Sequence, residues 1–211
     1  MKKVLLPLVF LLVLPLFAYS AVPAPATEGA TYEGAFRKAI LDGWSWIREV
    51  PDDWRIVNRG LEVKMEPIPQ EGVRNILYRK VPKAADGPIV ITVEVKALQP
   101  YTNQFQQAGL YWMQGDQLRH KFVLEIIDGQ ILVHPSNKPL EVHHVVLRWR
   151  IDGRKLVAEY QPGATGEFLH AYDAELPERD DETDRIALQC WHGPPGAESW
   201  TRFQGFTIAK P

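Results

Sequence analysis

From residue 43 onward, apolar and polar side chains alternate with a period of two, the mark of strands that bury one face. The alternation is cleanest at Gly60-Leu61-Glu62-Val63-Lys64-Met65 and at Ile89-Val90-Ile91-Thr92-Val93-Glu94-Val95-Lys96. It predicts further strands at 108–113, 120–127, 130–134, 144–151, 156–161, 185–191 and 200–208. Turn residues separate these runs. Asp128-Gly129 and Asp152-Gly153 each stand between two strands, where an Asp-Gly pair supplies the positive φ angles of a tight hairpin. Gly115-Asp116 fits the same role, and Gly193-Pro194-Pro195-Gly196 makes a longer loop before the last strand. Short strands joined by hairpins, with no long helix between them, describe an all-β antiparallel two-sheet sandwich or barrel. Upstream, residues 32–41 carry only weak helical spacing, with Tyr32, Phe36, Ala39 and Ile40 on one side, and read either as a short helix or as a segment wrapping the domain.

Alternation also assigns each strand two faces. One set is apolar: Ala108, Leu110 and Trp112; Phe122, Leu124 and Ile126; Val145, Leu147, Trp149 and Ile151; Ile186, Leu188 and Cys190. Burying each large member contributes about 1.5–3 kcal/mol, so this set explains a sandwich core without any ligand. The other set is mixed: Gln107, Tyr111 and Met113; Lys121, Val123 and Glu125; Arg148 and Arg150; Gln189 and Trp191. Aromatic faces stack on the C–H face of a pyranose, while carboxylates, guanidinium groups and amides bond its hydroxyls in fixed directions. A lattice of cross-strand ion pairs, such as Glu125 with Arg148 or Lys121, is the competing reading of the same residues. Trp54, Trp112 and Trp149 read as core, and Trp44 with Trp46 as closing the sandwich edge against Phe203 and Phe206.

The amino terminus has a different character. Lys2 and Lys3 precede an apolar run at 4–17, and Ala18-Tyr19-Ser20 offers small residues for cleavage, the order of a signal peptide. The run falls short of the roughly 20 apolar residues a bilayer span needs, and Pro7 and Pro15 interrupt it. The expected organisation is a signal peptide at 1–20, a Pro/Ala-rich lead-in at 21–42 and one β-sandwich domain at 43–211, secreted or periplasmic with no membrane anchor after cleavage. Removing Lys2 and Lys3 takes the formal charge from −2 to −4. A mildly acidic chain with no basic block gives no electrostatic reason to expect a nucleic-acid partner. Cys190 is the one cysteine in the sequence, which rules out an intrachain disulfide. It reads as a small buried apolar residue.

Catalytic patterns are missing from the sequence. Retaining glycosidases need two carboxyls about 5 Å apart, which on a strand means the same side, yet Glu125 and Asp128 fall on opposite faces. Glu94 and Glu159 are lone strand carboxylates, and the acidic stretch 178–184 reads as a solvated loop. Asp180, Asp181 and Asp184 form the one candidate for a structural calcium, a hard cation that takes oxygen ligands. The six histidines show no zinc spacing, His143 and His144 being adjacent and so on opposite faces.

Three stretches together resemble a known superfamily. The first is Trp44-Ser45-Trp46 with Trp54-Arg55-Ile56 and Gly60-Leu61-Glu62-Val63; the second is Gln106-Gln107-Ala108-Gly109-Leu110-Tyr111 with Lys121 and Glu125 following. The third is Val146-Leu147-Arg148-Trp149-Arg150 with Phe203-Gln204-Gly205-Phe206-Thr207-Ile208. In this order they resemble the concanavalin A-like lectin/glucanase superfamily, near the domain group labelled "regulation of enolase" and the C-terminal β-sandwich of family-43 β-xylosidases. The resemblance implies a jelly roll with one concave sheet, into which Gln107, Tyr111, Lys121, Glu125, Arg148, Gln189 and Trp191 would point. It implies a carbohydrate ligand and, with the missing carboxylate pair, a non-catalytic glycan-binding module. A hydrolase or lyase with a non-standard carboxylate site, and an envelope interaction domain, are the alternatives.

Overall fold

The computed structural model describes residues 30–34 by backbone alone, and residues 43–68 and 72–211. The expected signal peptide, the lead-in at 21–29 and residues 35–42 lie outside the described residues. Among the described residues, no helix is long and apolar enough to cross a membrane.

Fifteen strands among the described residues build two antiparallel sheets packed face to face. The first sheet runs, in spatial order, β13 (Leu169–Glu175), β12 (Lys155–Pro162), β11 (His144–Asp152), β6 (Ile89–Ala97), β15 (Trp200–Ala209), β4 (Gly60–Lys64) and β3 (Trp54–Val57), with β1 (Ala30–Gly34) beside the second half of β15. The second runs β10 (Lys138–Pro139), β9 (Gln130–His134), β8 (Gln117–Ile127), β7 (Gln107–Gln114), β14 (Asp184–Trp191), β5 (Ile76–Lys80) and β2 (Trp44–Ile47). This is the two-sheet jelly-roll sandwich that the alternation and the resemblance predict. The reading of 32–41 as helix fails for its first residues. Tyr32 pairs with Ile208 and Gly34 with Phe206, because β4 covers only the first half of that edge of β15. An uncovered edge offers a row of backbone donors and acceptors for a further strand to take.

The inner faces meet as expected. Leu110, Trp112, Phe122, Leu124, Ile186 and Leu188 from the second sheet pack against Val93, Val95, Leu147, Trp149, Phe203 and Ile208 from the first, each at most 1% exposed. Phe203 and Phe206 are three residues apart, which in a regular strand would place them on opposite faces. A bulge at Gly205, with φ +59°, turns both inward. Trp44 meets Phe206 edge to face at 4.9 Å and Trp46 lies 5.2 Å from Trp54, closing the sandwich edge. Cys190 is 4% exposed, and burial holds its thiol far above the usual range, so it is an inert core residue.

Two turns refine the sequence reading. Asp128-Gly129 forms the two-residue hairpin loop as expected, with φ of +50° and +76°. In the next hairpin Asp152 pairs with Lys155, so the loop is Gly153-Arg154, with the positive φ supplied by Gly153.

Gly109 sits on β7 with the backbone of β8 packed against it. A Cβ there would collide with the Phe122 carbonyl oxygen and lie 2.7 Å from the Val123 Cα. Both atoms are backbone and cannot move aside alone. Gly109→Ala is therefore expected to destabilise the protein by about 3 kcal/mol, the upper end of overpacking costs, read as a lower midpoint in chemical denaturation.

Burial also sets a pH dependence. His120 lies between Trp149 and Tyr172, and His143 accepts a hydrogen bond from the Tyr101 amide on Nδ1 at 3.0 Å. Desolvation holds both imidazoles below the ordinary value of 6.5. In the unfolded chain they protonate at that ordinary value, so protons favour unfolding. Their contribution to stability is complete above pH 6.5 and is lost as pH falls through the lower folded values. Urea midpoints are expected to drop between pH 7.5 and 5.5, and the drop to shrink in His120→Gln.

Candidate functional site

Six of the seven expected ligand residues share the outer face of the second sheet. Register places Gln107 beside Glu125 on β8 and Trp191 on β14, Gly109 beside Gln189, and Tyr111 beside Lys121. The seventh, Arg148, is on β11 in the first sheet and faces away from the core. Its Nε donates to Glu159 at 2.6 Å and its guanidinium lies 3.5 Å from the centre of the Phe168 ring. Burial pushes the Glu159 carboxyl up, but its bonds from Arg148 and Arg150 outweigh that and hold it below the usual carboxylate range. Of the two pairings weighed for Glu125, the one with Lys121 forms, while Arg148 pairs with Glu159 on the other sheet.

The centre of the outer face is a closed hydrogen-bond network. Gln107 uses its amide fully: Oε1 accepts from Tyr111 at 3.1 Å and Lys121 at 2.9 Å, while Nε2 donates to Glu125 at 2.8 Å and the Phe105 carbonyl at 3.1 Å. Glu125 also receives Lys121 Nζ at 3.3 Å, and His134 Nδ1 stands 3.7 Å away. The Glu125 side chain is only 3% exposed, whereas those of Lys121 and His134 are each 27% exposed. The carboxylate is therefore the floor, and the two basic groups lean over it toward solvent.

Beside this network the protein covers its own sheet. Val73, Ile76, Tyr111, Met113, Val123 and Ala187 form a second apolar cluster, with Ile47, Tyr78 and Trp191 packed against it. The Trp191 indole donates to the Ile68 carbonyl at 3.0 Å and stacks on His192 at 4.9 Å. Tyr111 is 1% exposed, and burial first, then the Glu125 charge, hold its phenol well above the usual range. Its hydroxyl joins the network by donating to Gln107. Gln189 is 7% exposed in the same covered region.

No protein-family model matches the sequence, nor does any curated protein. Solved structures do match. A GH43 protein, BlXynB from Bacillus licheniformis, superposes with a TM-score of 0.63 at 14% identity over 84% of this chain and 38% of that one. The Bacteroides ovatus xyloglucan-locus GH43B protein gives 0.66 at 14% identity over 91% of this chain and 42% of that one. The alginate lyase of Klebsiella pneumoniae gives 0.58 at 8% identity, covering 82% of this chain and 97% of that one. The fold is a concanavalin A-like β-sandwich. This chain spans well under half of the GH43 proteins it matches, and nearly the whole length of the lyase.

Within this concanavalin A-like sandwich, two residues at the network escaped the sequence reading. His134 ends β9 two residues after Leu132, so alternation places it beside Val123 on the outer face. That signal was available in the strand 130–134. Phe105 lies in the loop before β7, where no period exists to mark it.

The three aspartates at 180–184 are engaged by donors of the protein itself. Asp184 pairs with Arg179 at 2.7 Å, Asp180 accepts the Thr183 hydroxyl at 2.8 Å, and Asp181 accepts the Ala84 amide at 2.9 Å. No group of three or more metal-ligating side chains gathers at one point among the described residues.

Removing Lys121 strips the buried Glu125 of its cation. Lys121→Met is expected to cost about 1–3 kcal/mol, and the double variant Lys121→Met/Glu125→Gln to lose less than the two single losses combined. Denaturation of the three variants measures this coupling.

Proposed function

We propose that the chain binds a glycan on the outer face of the second sheet and performs no chemistry on it. The observation that carries this reading is the Lys121–Gln107–Glu125–His134 network, held rigid from beneath and topped by two partly exposed polar groups. Sugar hydroxyls both donate and accept, so fixed donors and acceptors recognise them at little cost in ordering. Trp191 and His192 add a flat stacked pair at the same end of the sheet. Similar structures named for alginate lyase and for xyloglucan support the ligand class.

Hydrolysis of a glycosidic bond draws on two carboxyl groups. Along the outward positions of β5, β7, β8, β9 and β14, Glu125 is the one carboxylate among the described residues, and Gln107 and Lys121 already engage it. This favours holding a glycan over cutting one. Export by the signal peptide is part of the proposal, since it would bring the domain to polysaccharide outside the cytoplasm.

A polysaccharide array followed by isothermal titration tests it. Binding at millimolar affinity or better is expected, weakened about tenfold in Lys121→Met, a loss of about 1.4 kcal/mol. Arg148→Ala, on the opposite sheet, is expected to bind as the wild type does. No binding to any polysaccharide would refute the proposal, and turnover abolished by Glu125→Gln would replace it with catalysis.

A further inference from the structure

Phe105 combines two features that a phenylalanine does not adopt without a reason. Its backbone is left-handed, with φ +64°, and its side chain contributes to a residue 44% exposed. Bulky residues are strained in that region, and such strain concentrates at ligand-binding positions.

The loop around it is firmly held. Phe105 N donates to the Ile126 carbonyl at 2.9 Å. Gln104 and Asp128 exchange two bonds, at 2.9 and 3.1 Å. Gln106 is fully buried; it accepts from the Thr102 and Asn103 amides at 3.0 and 3.3 Å and donates to Ser199 at 2.7 Å. Asn103 Nδ2 donates to the His192 carbonyl at 3.1 Å, tying the loop to the end of β14. A loop with this many fixed points determines where Phe105 stands, and it leaves the ring facing solvent. The Gln107 amide then joins the Phe105 carbonyl directly to Glu125.

We propose that Phe105 is a stacking platform for an uncharged sugar ring at the end of the Lys121–Glu125 network. This rests on reading the face as a glycan site. An aromatic ring packs against the C–H face of a pyranose while neighbouring polar groups take its hydroxyls. The ring is uncharged because Lys121, the cation of the network itself, already has a carboxylate partner in Glu125 at 3.3 Å.

The full chain and its Phe105→Gly and Phe105→Trp variants are titrated with neutral xylo-, cello- and xyloglucan oligosaccharides and with alginate oligomers as the charged probe. Thermal midpoints are recorded alongside. Glycine takes φ +64° without strain. Phe105→Gly is therefore expected to lose about tenfold in affinity for a neutral oligosaccharide, with its midpoint unchanged or raised. Phe105→Trp is expected to keep wild-type affinity. Equal neutral-sugar binding by wild type and Phe105→Gly overturns the platform and leaves the glycan reading intact. Binding of alginate oligomers alone overturns the uncharged class. A midpoint several degrees lower in Phe105→Gly assigns the ring to packing and overturns the proposal as well. A wild type that binds none of the probes, nor any glycan on the array, removes the glycan reading and this inference together.

Discussion

Strand β7 is covered on both faces, by the sandwich core beneath and by the second apolar cluster above, and its residues from Gln107 to Met113 are all buried. A strand in that position has no solvated side on which to place polar groups, so each one it carries must find a partner inside the protein. Gln107 meets that demand with four bonds, and Tyr111 meets it through Gln107. Glycine at 109 lets β7 and β8 close to the distance at which these bonds form. The ordered arrangement of Lys121 and His134 on β8 and β9 follows from this requirement on the neighbouring strand β7.

The outer faces of the two sheets solve the problem of charge differently. On the first sheet, Arg55, Glu62 and Arg202 form one chain of ion pairs and Arg148, Glu159 and Arg150 another. Arg55 and Arg150 are about half exposed in those pairs, so salt screens part of their attraction. On the second sheet Glu125 lies beneath its partners, where charge interactions are stronger and geometry is fixed. Both faces read as the same mixture of Arg, Lys, Glu and aromatic residues along the chain. Partners separate them: two arginines hold each of Glu62 and Glu159, whereas Lys121, Gln107 and His134 surround Glu125, although Glu62 and Glu125 are buried alike.

Period-two alternation shows which way a side chain points, and for Leu110, Trp112, Phe122 and Trp149 that was enough to place them in the core. It does not show which sheet a strand joins. Arg148 and Glu125 have the same local pattern, but β11 pairs with β6, some fifty residues earlier, and so enters the first sheet. Nor did it reveal β3, β5 and β13, whose exposed or loop-flanked positions blur the alternation. Two site features come from segments without a period. The loop residue Val73 joins the apolar cluster that contains Tyr111, and the loop that carries Phe105 is held by bonds to residues from 126 to 199. Long-range contacts of that kind decide exposure, and no local window contains them.

The lone thiol of Cys190, sealed between the sheets, has a consequence for where such a domain can assemble. With no covalent staple to form and no accessible sulfur to oxidise, the described fold neither needs an oxidant nor fears a reductant. Its native state is reached by the same non-covalent route in either redox surrounding, and a cysteine introduced on its surface would be the single reactive handle for attaching a probe.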